Sequence, residues 1–101
     1  MNSFELRALV DRIKASIEIA EIVGSRIQLN RSLKACCPFH EDKNPSFCVN
    51  QKGQYFHCFG CGVGGDVIKF LMLFDGKSFV EALVGLAEQV GIDVPKSLRG
   101  R

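Results

Sequence analysis

Cys37-Pro-Phe-His40 is answered, after seventeen intervening residues, by Cys58-Phe-Gly-Cys61, so four metal-ligand side chains arrive as two tight pairs in a chain of 101 residues. A two-residue gap lets both members of a pair meet one ion at a turn, and the segment between the pairs is long enough to run out and back as a hairpin that closes a tetrahedron. A single structural Zn2+ held by Cys37, His40, Cys58 and Cys61 is therefore expected. With all four positions taken by protein, such an ion holds a fold and offers no open site for catalysis. Cys36, Cys48 and His57 stand close by in sequence. If 33–37 and 54–58 are extended, neighbouring side chains point to opposite faces, which turns Cys36 and His57 away from a site built on Cys37 and Cys58. Cys48 has no partner at ligand spacing and is expected to pack as a small apolar residue. A redox role for the Cys58/Cys61 pair is the weaker reading, because a thioredoxin-like pair belongs at the start of a helix after a strand in a larger fold.

The elements that must position these ligands can be read from pattern. Phe4, Leu6, Leu9, Val10, Ile13, Ile17, Ile19 and Ile22 recur mostly at helical intervals, predicting two short helices within about 3–23. Ser16 is expected to cap the second, and Gly24 with Ser25 to end it. Alternation over 26–30 and the lead into Cys37 over 33–37 predict two strands. The stretches 45–50 and 54–58 flank Gln51-Lys-Gly53 and predict a hairpin that brings the second ligand pair beside the first. After Gly62-Val-Gly-Gly65, Asp66 is expected to cap a helix over 67–74 whose nearly all-apolar sequence makes it the central core element. Ser78 and Glu81 form a capping box for a last helix with a stripe of Phe79, Ala82, Leu83, Leu86, Ala87 and Val90, stopped by Gly91. Residues 92–94 read as a short strand or packing segment, and 95–101 as a tail or linker.

Composition sets the class. Hydrophobic residues make up 47% of the chain, ordinary for a globular protein. One small domain over 1–101 is expected: helices about 3–23, a zinc ribbon about 26–62, helices about 66–91 and a tail. A core this small leaves room for a metal to supply stability. The five cysteines are an odd number, and Met1-Asn-Ser-Phe4 is not a basic segment leading into an apolar run. The chain thus reads as reduced, intracellular and cytoplasmic. No apolar stretch approaches the ~20 residues that span a bilayer, so no membrane partner is expected. The net charge of +2 alone says little about partners.

Around the ligand pairs, Arg26, Arg31, Lys34, Lys43 and Lys52 are interleaved with Phe47, Tyr55, Phe56 and Phe59. Cations can neutralise phosphates while aromatic faces stack on unpaired bases. The same aromatics can equally be core, since only one face of a small sheet is exposed, and alternation alone does not decide between the two.

The run Cys37-Pro-Phe-His-Glu-Asp-Lys-Asn-Pro-Ser-Phe47, then Tyr55-Phe-His-Cys-Phe-Gly-Cys-Gly62 and Gly65-Asp66 ahead of Phe70-Leu-Met72, closely resembles the N-terminal zinc-binding domain of bacterial DnaG-type DNA primases. The likeness extends from the leading helices to the helix over 79–87. It implies an α+β fold, a small zinc-ribbon antiparallel sheet flanked by N-terminal and C-terminal helices. It also implies the same four zinc ligands, and a role in recognising single-stranded DNA template at initiation of an RNA primer. By this resemblance Lys43, Pro45, Ser46 and Phe47 lie in the segment that approaches template, with Arg31 and Lys34 nearby; Lys52 and Tyr55 complete the candidate set. Asn44 stands where the family often has threonine, and the 30–34 connection is shorter than the basic loop common in relatives. The family places its magnesium-binding glutamate and paired aspartates in a separate RNA-polymerase domain. This sequence has no Asp-x-Asp pair, so catalysis is expected from that domain, in cis or in trans. A replicative helicase is expected to be reached only through other domains. The alternative is a zinc-ribbon protein adaptor of a replication or mobile-element complex.

Overall fold

Asn2 starts the N-terminal arm by closing a capping box: its Oδ1 accepts the Glu5 N–H at 2.8 Å, and the Glu5 carboxylate accepts the Asn2 N–H at 3.2 Å. In the computed structural model, which describes residues 2–41 and 43–99, helix α1 follows over Ser3–Ala15 and α2 over Ile19–Gly24. Ser16 does not cap α2 as the sequence suggests. It ends α1, donating its hydroxyl to the Arg12 carbonyl at 3.1 Å. The first N–H of α2 is satisfied from a distant part of the chain, by Gln54 Oε1 at 2.8 Å from Ile19 N.

Four antiparallel strands form one sheet in the order β1 (Lys34–Ala35), β2 (Phe47–Asn50), β3 (Tyr55–Cys58) and β4 (Gly64–Gly65). The expected hairpin is β2–β3, in register from Phe47 opposite Cys58 to Asn50 opposite Tyr55. The strand expected over 26–30 does not form. The Arg26 and Ile27 amides turn back to the Val23 carbonyl at 3.0 and 2.9 Å, and the Arg26 guanidinium reaches the Asp75 carboxylate at 2.8 Å. That contact holds the Asp75 carboxyl below the usual carboxylate range. Leu33, at φ 59°, and the Asn30 side chain, accepting from Ser32 and Lys34 amides, make the next stretch a turn, so β1 is only two residues long. β4 was not foreseen, because a Gly-Gly pair has no strand preference of its own; pairing with Phe56 and His57 recruits it.

Strand alternation gives the sheet two unlike faces. Phe47, Val49, Phe56 and Cys58 are buried, while Cys48, Asn50, Tyr55 and His57 lie on the open side. The covered face packs against α2 and α3 (Val67–Phe74), and α4 (Phe79–Val90) packs in turn on α3 and α1. Asp66 caps α3 through the Lys69 N–H at 2.9 Å and pairs with Lys14 Nζ at 3.0 Å, joining α1 to α3. Burial alone would raise the Asp66 pKa, but the Lys69 amide and the Lys14 ammonium hold it down. α3 buries Val67, Ile68, Phe70 and Leu71, whereas Met72, Leu73 and Phe74 emerge at the surface, so the helix is central only over its first turns. Ser78 and Glu81 close the expected capping box at 3.1 and 2.8 Å, and Gly91 ends α4 at φ 72°, in the left-handed region that favours glycine. Ile92 and Val94 are a packing segment, and the expected tail contains a short α5 (Lys96–Arg99).

The centre of the core is aromatic. Phe39, Phe47, Phe56 and Phe70 contact one another with ring centroids 5.5–6.2 Å apart. Phe39 comes from the first ligand turn, so the metal-binding loop is anchored directly in this cluster. Phe70→Ala should destabilise the zinc-loaded protein by about 3–5 kcal/mol, as expected for deletion of a buried ring, seen as a lowered urea midpoint, while Met72→Ala should change it far less.

Candidate metal centre

The four ligand candidates converge at one end of the sheet. Cys58 is the last residue of β3, and Cys37 lies two residues beyond the end of β1. The β2–β3 pairing brings both strands to the Phe47 end of the ladder. His40 reaches back through the turn that Phe39 anchors. Cys61 reaches back through a tight knuckle in which the Gly62 N–H donates to the Cys58 carbonyl at 2.8 Å and the Cys58 N–H to the Val63 carbonyl at 2.8 Å. The donor atoms of all four lie within 4.8 Å of one another. Cys37 Sγ and Cys61 Sγ are 4.0 Å apart, and His40 Nε2 is 3.4 Å from Cys58 Sγ. A zinc tetrahedron with ordinary Zn–S and Zn–N lengths has edges of about 3.8 Å between sulfurs and about 3.5 Å between sulfur and nitrogen. The arrangement fits one Zn2+.

The surrounding groups set the state of each donor. His40 Nδ1 is 2.7 Å from the Glu41 carbonyl, which can only accept, so Nδ1 carries the proton and Nε2 is left bare toward the thiols. Burial pushes the Cys58 thiol up, but the hydrogen bonds it accepts, those of the Cys61 and Gly60 amides among them, outweigh it and bring the pKa down to about 7. Burial drives the Cys37 thiol the other way, up to about 12, with the neighbouring Cys58 and Cys61 adding to the rise against the Phe39 amide. The first proton thus leaves Cys58, and Cys37 ionises only when a cation compensates the gathered charge.

Two contributors were not visible in the spacing. One is the Glu41 carbonyl, a backbone group that carries no residue signature. The other is Gly60: a Cβ there would stand 3.3 Å from His40 Cε1 and Nε2, so the absence of a side chain gives the imidazole its room. The Cys-x-Gly-Cys pattern offered that signal, since a glycine between ligands marks a close approach. Cys36 is exposed, and Cys48 and His57 are half-buried on the open face; none joins the converging set among the described residues. Cys48 is therefore less buried than the small core residue expected. The Cys58/Cys61 pair sits in a strand and its following turn, with α3 beginning only at Val67.

The proposed template contacts are spread over the same sheet. Lys43 and Pro45 are exposed and Ser46 half-buried on the loop between His40 and β2, at the ligand end. Lys52 and Tyr55 are exposed at the hairpin end, Arg31 on the turn before β1 and Lys34 on β1 itself. Phe47 is the exception. It is completely buried among Phe39, Phe56 and Phe70, so its ring cannot face DNA and serves to anchor the loop that precedes it. Strand alternation, which puts Phe47 on the same face as Val49 and Phe56, carries the physical reason.

Residues 6–100 match the CHC2 zinc finger family. The chain is 47% identical over 93 residues to a DNA primase of Pasteurella multocida, covering 89% of this chain and 16% of that protein. It is 48% identical over 90 residues to a DNA primase of Helicobacter pylori, covering 86% and 16%. The crystal structure of the Aquifex aeolicus primase, with its zinc-binding and RNA polymerase domains, is similar with a TM-score of 0.82 at 37% identity, over 88% of this chain and 23% of that one. The chain spans only 16% of the length of these two sequence relatives.

Purified under reducing conditions, the protein should carry one zinc per chain and lose its fold on chelation; Cys61→Ser and His40→Ala should each abolish tight binding. Gly60→Ala, which crowds the imidazole without removing a ligand, should weaken zinc about 10–100-fold. Zinc must displace the Cys37 proton at every accessible pH and the Cys58 proton only below about 7. Apparent affinity should therefore fall as pH falls, more steeply below pH 7 than above it, in a competition titration with a chromophoric chelator.

Proposed function

The chain belongs to the CHC2 zinc finger family, the zinc-binding domain of DNA primases, and from that premise we propose that residues 1–101 act as one module that receives single-stranded DNA template. In this reading it supports initiation of an RNA primer by a polymerase domain, in the same chain or in a partner. The observation that carries the proposal is where the charge lies. Residues 25–65, which hold the sheet and the metal centre, contain five Lys and Arg against two acidic residues, whereas the rest of the chain contains eight against nine. A polyanion is drawn to the first segment and not to the second.

The parts divide the work. The zinc site fixes the ligand end of the sheet and with it the loop bearing Lys43, Pro45 and Ser46. Arg31, Lys34 and Lys52 are exposed where they can neutralise phosphates, and Tyr55 presents an aromatic face that can stack on a base. Phosphate contacts position the strand without reading it. The bond-forming chemistry belongs in this reading to a polymerase domain, since the closed metal centre has no position for a substrate. Replicative helicase contacts belong to other domains, and the site of action is the cytoplasm. Among the described residues no helix is long and apolar enough to cross a membrane. A module this small makes few phosphate contacts, so tethering to other DNA-bound parts would supply the effective concentration.

Binding of a fluorescein-labelled oligodeoxynucleotide should weaken steeply between 50 and 200 mM salt, and Lys34→Ala and Lys43→Ala should each lower the log–log salt slope by roughly 0.7. Adding the chain to a primase lacking its own zinc domain should restore primer initiation. Affinity indifferent to salt and to both substitutions, with no initiation on any template, would show instead a protein adaptor.

A further inference from the structure

The aromatic positions of β3 continue past the end of the strand. Tyr55 and His57 lie on the open face, and Phe59, the first residue beyond β3, is 76% exposed. An isolated exposed apolar side chain is common and means nothing by itself. Phe59 differs in being held. Its ring stands edge-on to His57 with centroids 4.7 Å apart and planes at 74°. Its N–H donates to the Ser46 carbonyl at 2.9 Å, extending the β2–β3 pairing beyond Cys58. It also lies between Cys58 and Cys61, inside the knuckle that the metal closes.

The surroundings favour a nucleobase over a protein side chain. Beside His57 the sheet ends in β4, a Gly-Gly strand with no side chains. A Cβ on Gly64 would stand 3.1 Å from His57 Nδ1, so the imidazole is spread along that bare strand. Lys34 lies in the same cross-strand row, opposite Cys48, which is itself opposite His57. No Asp or Glu occurs in any of the four strands. Protein-docking sites are marked by contiguous apolar patches of roughly a few hundred Å² or more; this is a single ring against an imidazole, and the imidazole is flanked by a glycine strand and by a cross-strand row that ends in an ammonium. A fixed aromatic ring on a face that also carries a cation is an arrangement on which unpaired bases stack.

We infer that Phe59, braced by His57, is a stacking platform for one unpaired base of the template. It takes the place that sequence reasoning gave to the buried Phe47. The inference rests on the reading that this face receives single-stranded DNA. Because Phe59 sits between two ligands of the metal centre, the ion fixes the platform as well as the fold.

The chain contains no tryptophan, so Phe59→Trp introduces a single indole at the platform. Titrating the zinc-loaded variant with an unlabelled mixed-sequence oligodeoxynucleotide should quench its fluorescence at near wild-type affinity. Phe59→Leu, with one zinc per chain confirmed, should bind the labelled oligonucleotide roughly tenfold more weakly with an unchanged salt slope, the reverse of Lys34→Ala. Should Phe59→Leu fail to retain zinc, the indole titration decides alone. Salt-dependent binding by the wild type with an unquenched indole overturns the inference and leaves the template reading standing. Absence of wild-type binding even at low salt overturns both.

Discussion

Cys37 and Cys58 are buried thiols pointed at one another's neighbours, with Cys61 and the bare nitrogen of His40 completing the group. Three thiols this close repel once they ionise, and burial holds the proton on Cys37 while hydrogen bonds ease that of Cys58 away. A divalent cation converts the conflict into a cross-link. The cross-link joins the end of β3, the exit from β1, the Phe39 turn and the knuckle, which are otherwise held by few backbone hydrogen bonds. In a chain this short, that constraint does what a larger hydrophobic core would do elsewhere.

Its effects spread through specific side chains. Phe39 lies between the ligands Cys37 and His40 and packs on Phe47, Phe56 and Phe70, so the metal loop and the aromatic core position each other. Phe70 carries the contact into α3, whose cap, Asp66, is tied to α1 by Lys14. At the other end of the sheet, Gln54 takes the left-handed conformation at φ 55° and satisfies the start of α2, so the hairpin turn also seats a helix. The open face of the sheet displays Lys34, Tyr55, His57 and, beyond the end of β3, Phe59.

Where local rules decide the structure, the sequence was sufficient. The ligand pairs, the β2–β3 hairpin, the Asp66 cap, the Ser78–Glu81 capping box and the stop at Gly91 each follow from residues a few positions apart. Several of the misses involve distant partners. The alternation over 26–30 reads as a strand, yet the Arg26 side chain is claimed by Asp75 at the end of α3 and the Arg26 and Ile27 amides turn back to Val23. Ser16 is a sound cap candidate, but the next helix starts where Gln54 can reach its first amide. β4 consists of residues that disfavour strands and exists because β3 offers an unpaired edge. The DNA candidates failed at Phe47 for a simpler reason. Family likeness marks a segment as important without saying which of its side chains face inward, and the period of two in β2 already placed Phe47 beside Val49 in the core.

That distinction bears on what a template-reading module of this size can be. In the proposed reading, phosphate contacts from Arg31, Lys34, Lys43 and Lys52 would give attraction without register, because long flexible cations adapt to any backbone path. Register demands a group that cannot move when the strand arrives, and few side chains on so small a surface qualify. A lysine on a loop does not. A ring braced against an imidazole, with its backbone paired to β2 and its neighbours coordinating a metal, does. Rigidity at Phe59 and closure at the zinc are then the same property, since both depend on the short turn between Cys58 and Cys61. A catalytic zinc would need an open position and a mobile ligand, and that freedom would loosen the surface that positions the strand. If the exposed face reads template as proposed, a structural ion beside it and chemistry in another domain is the division of labour these constraints favour.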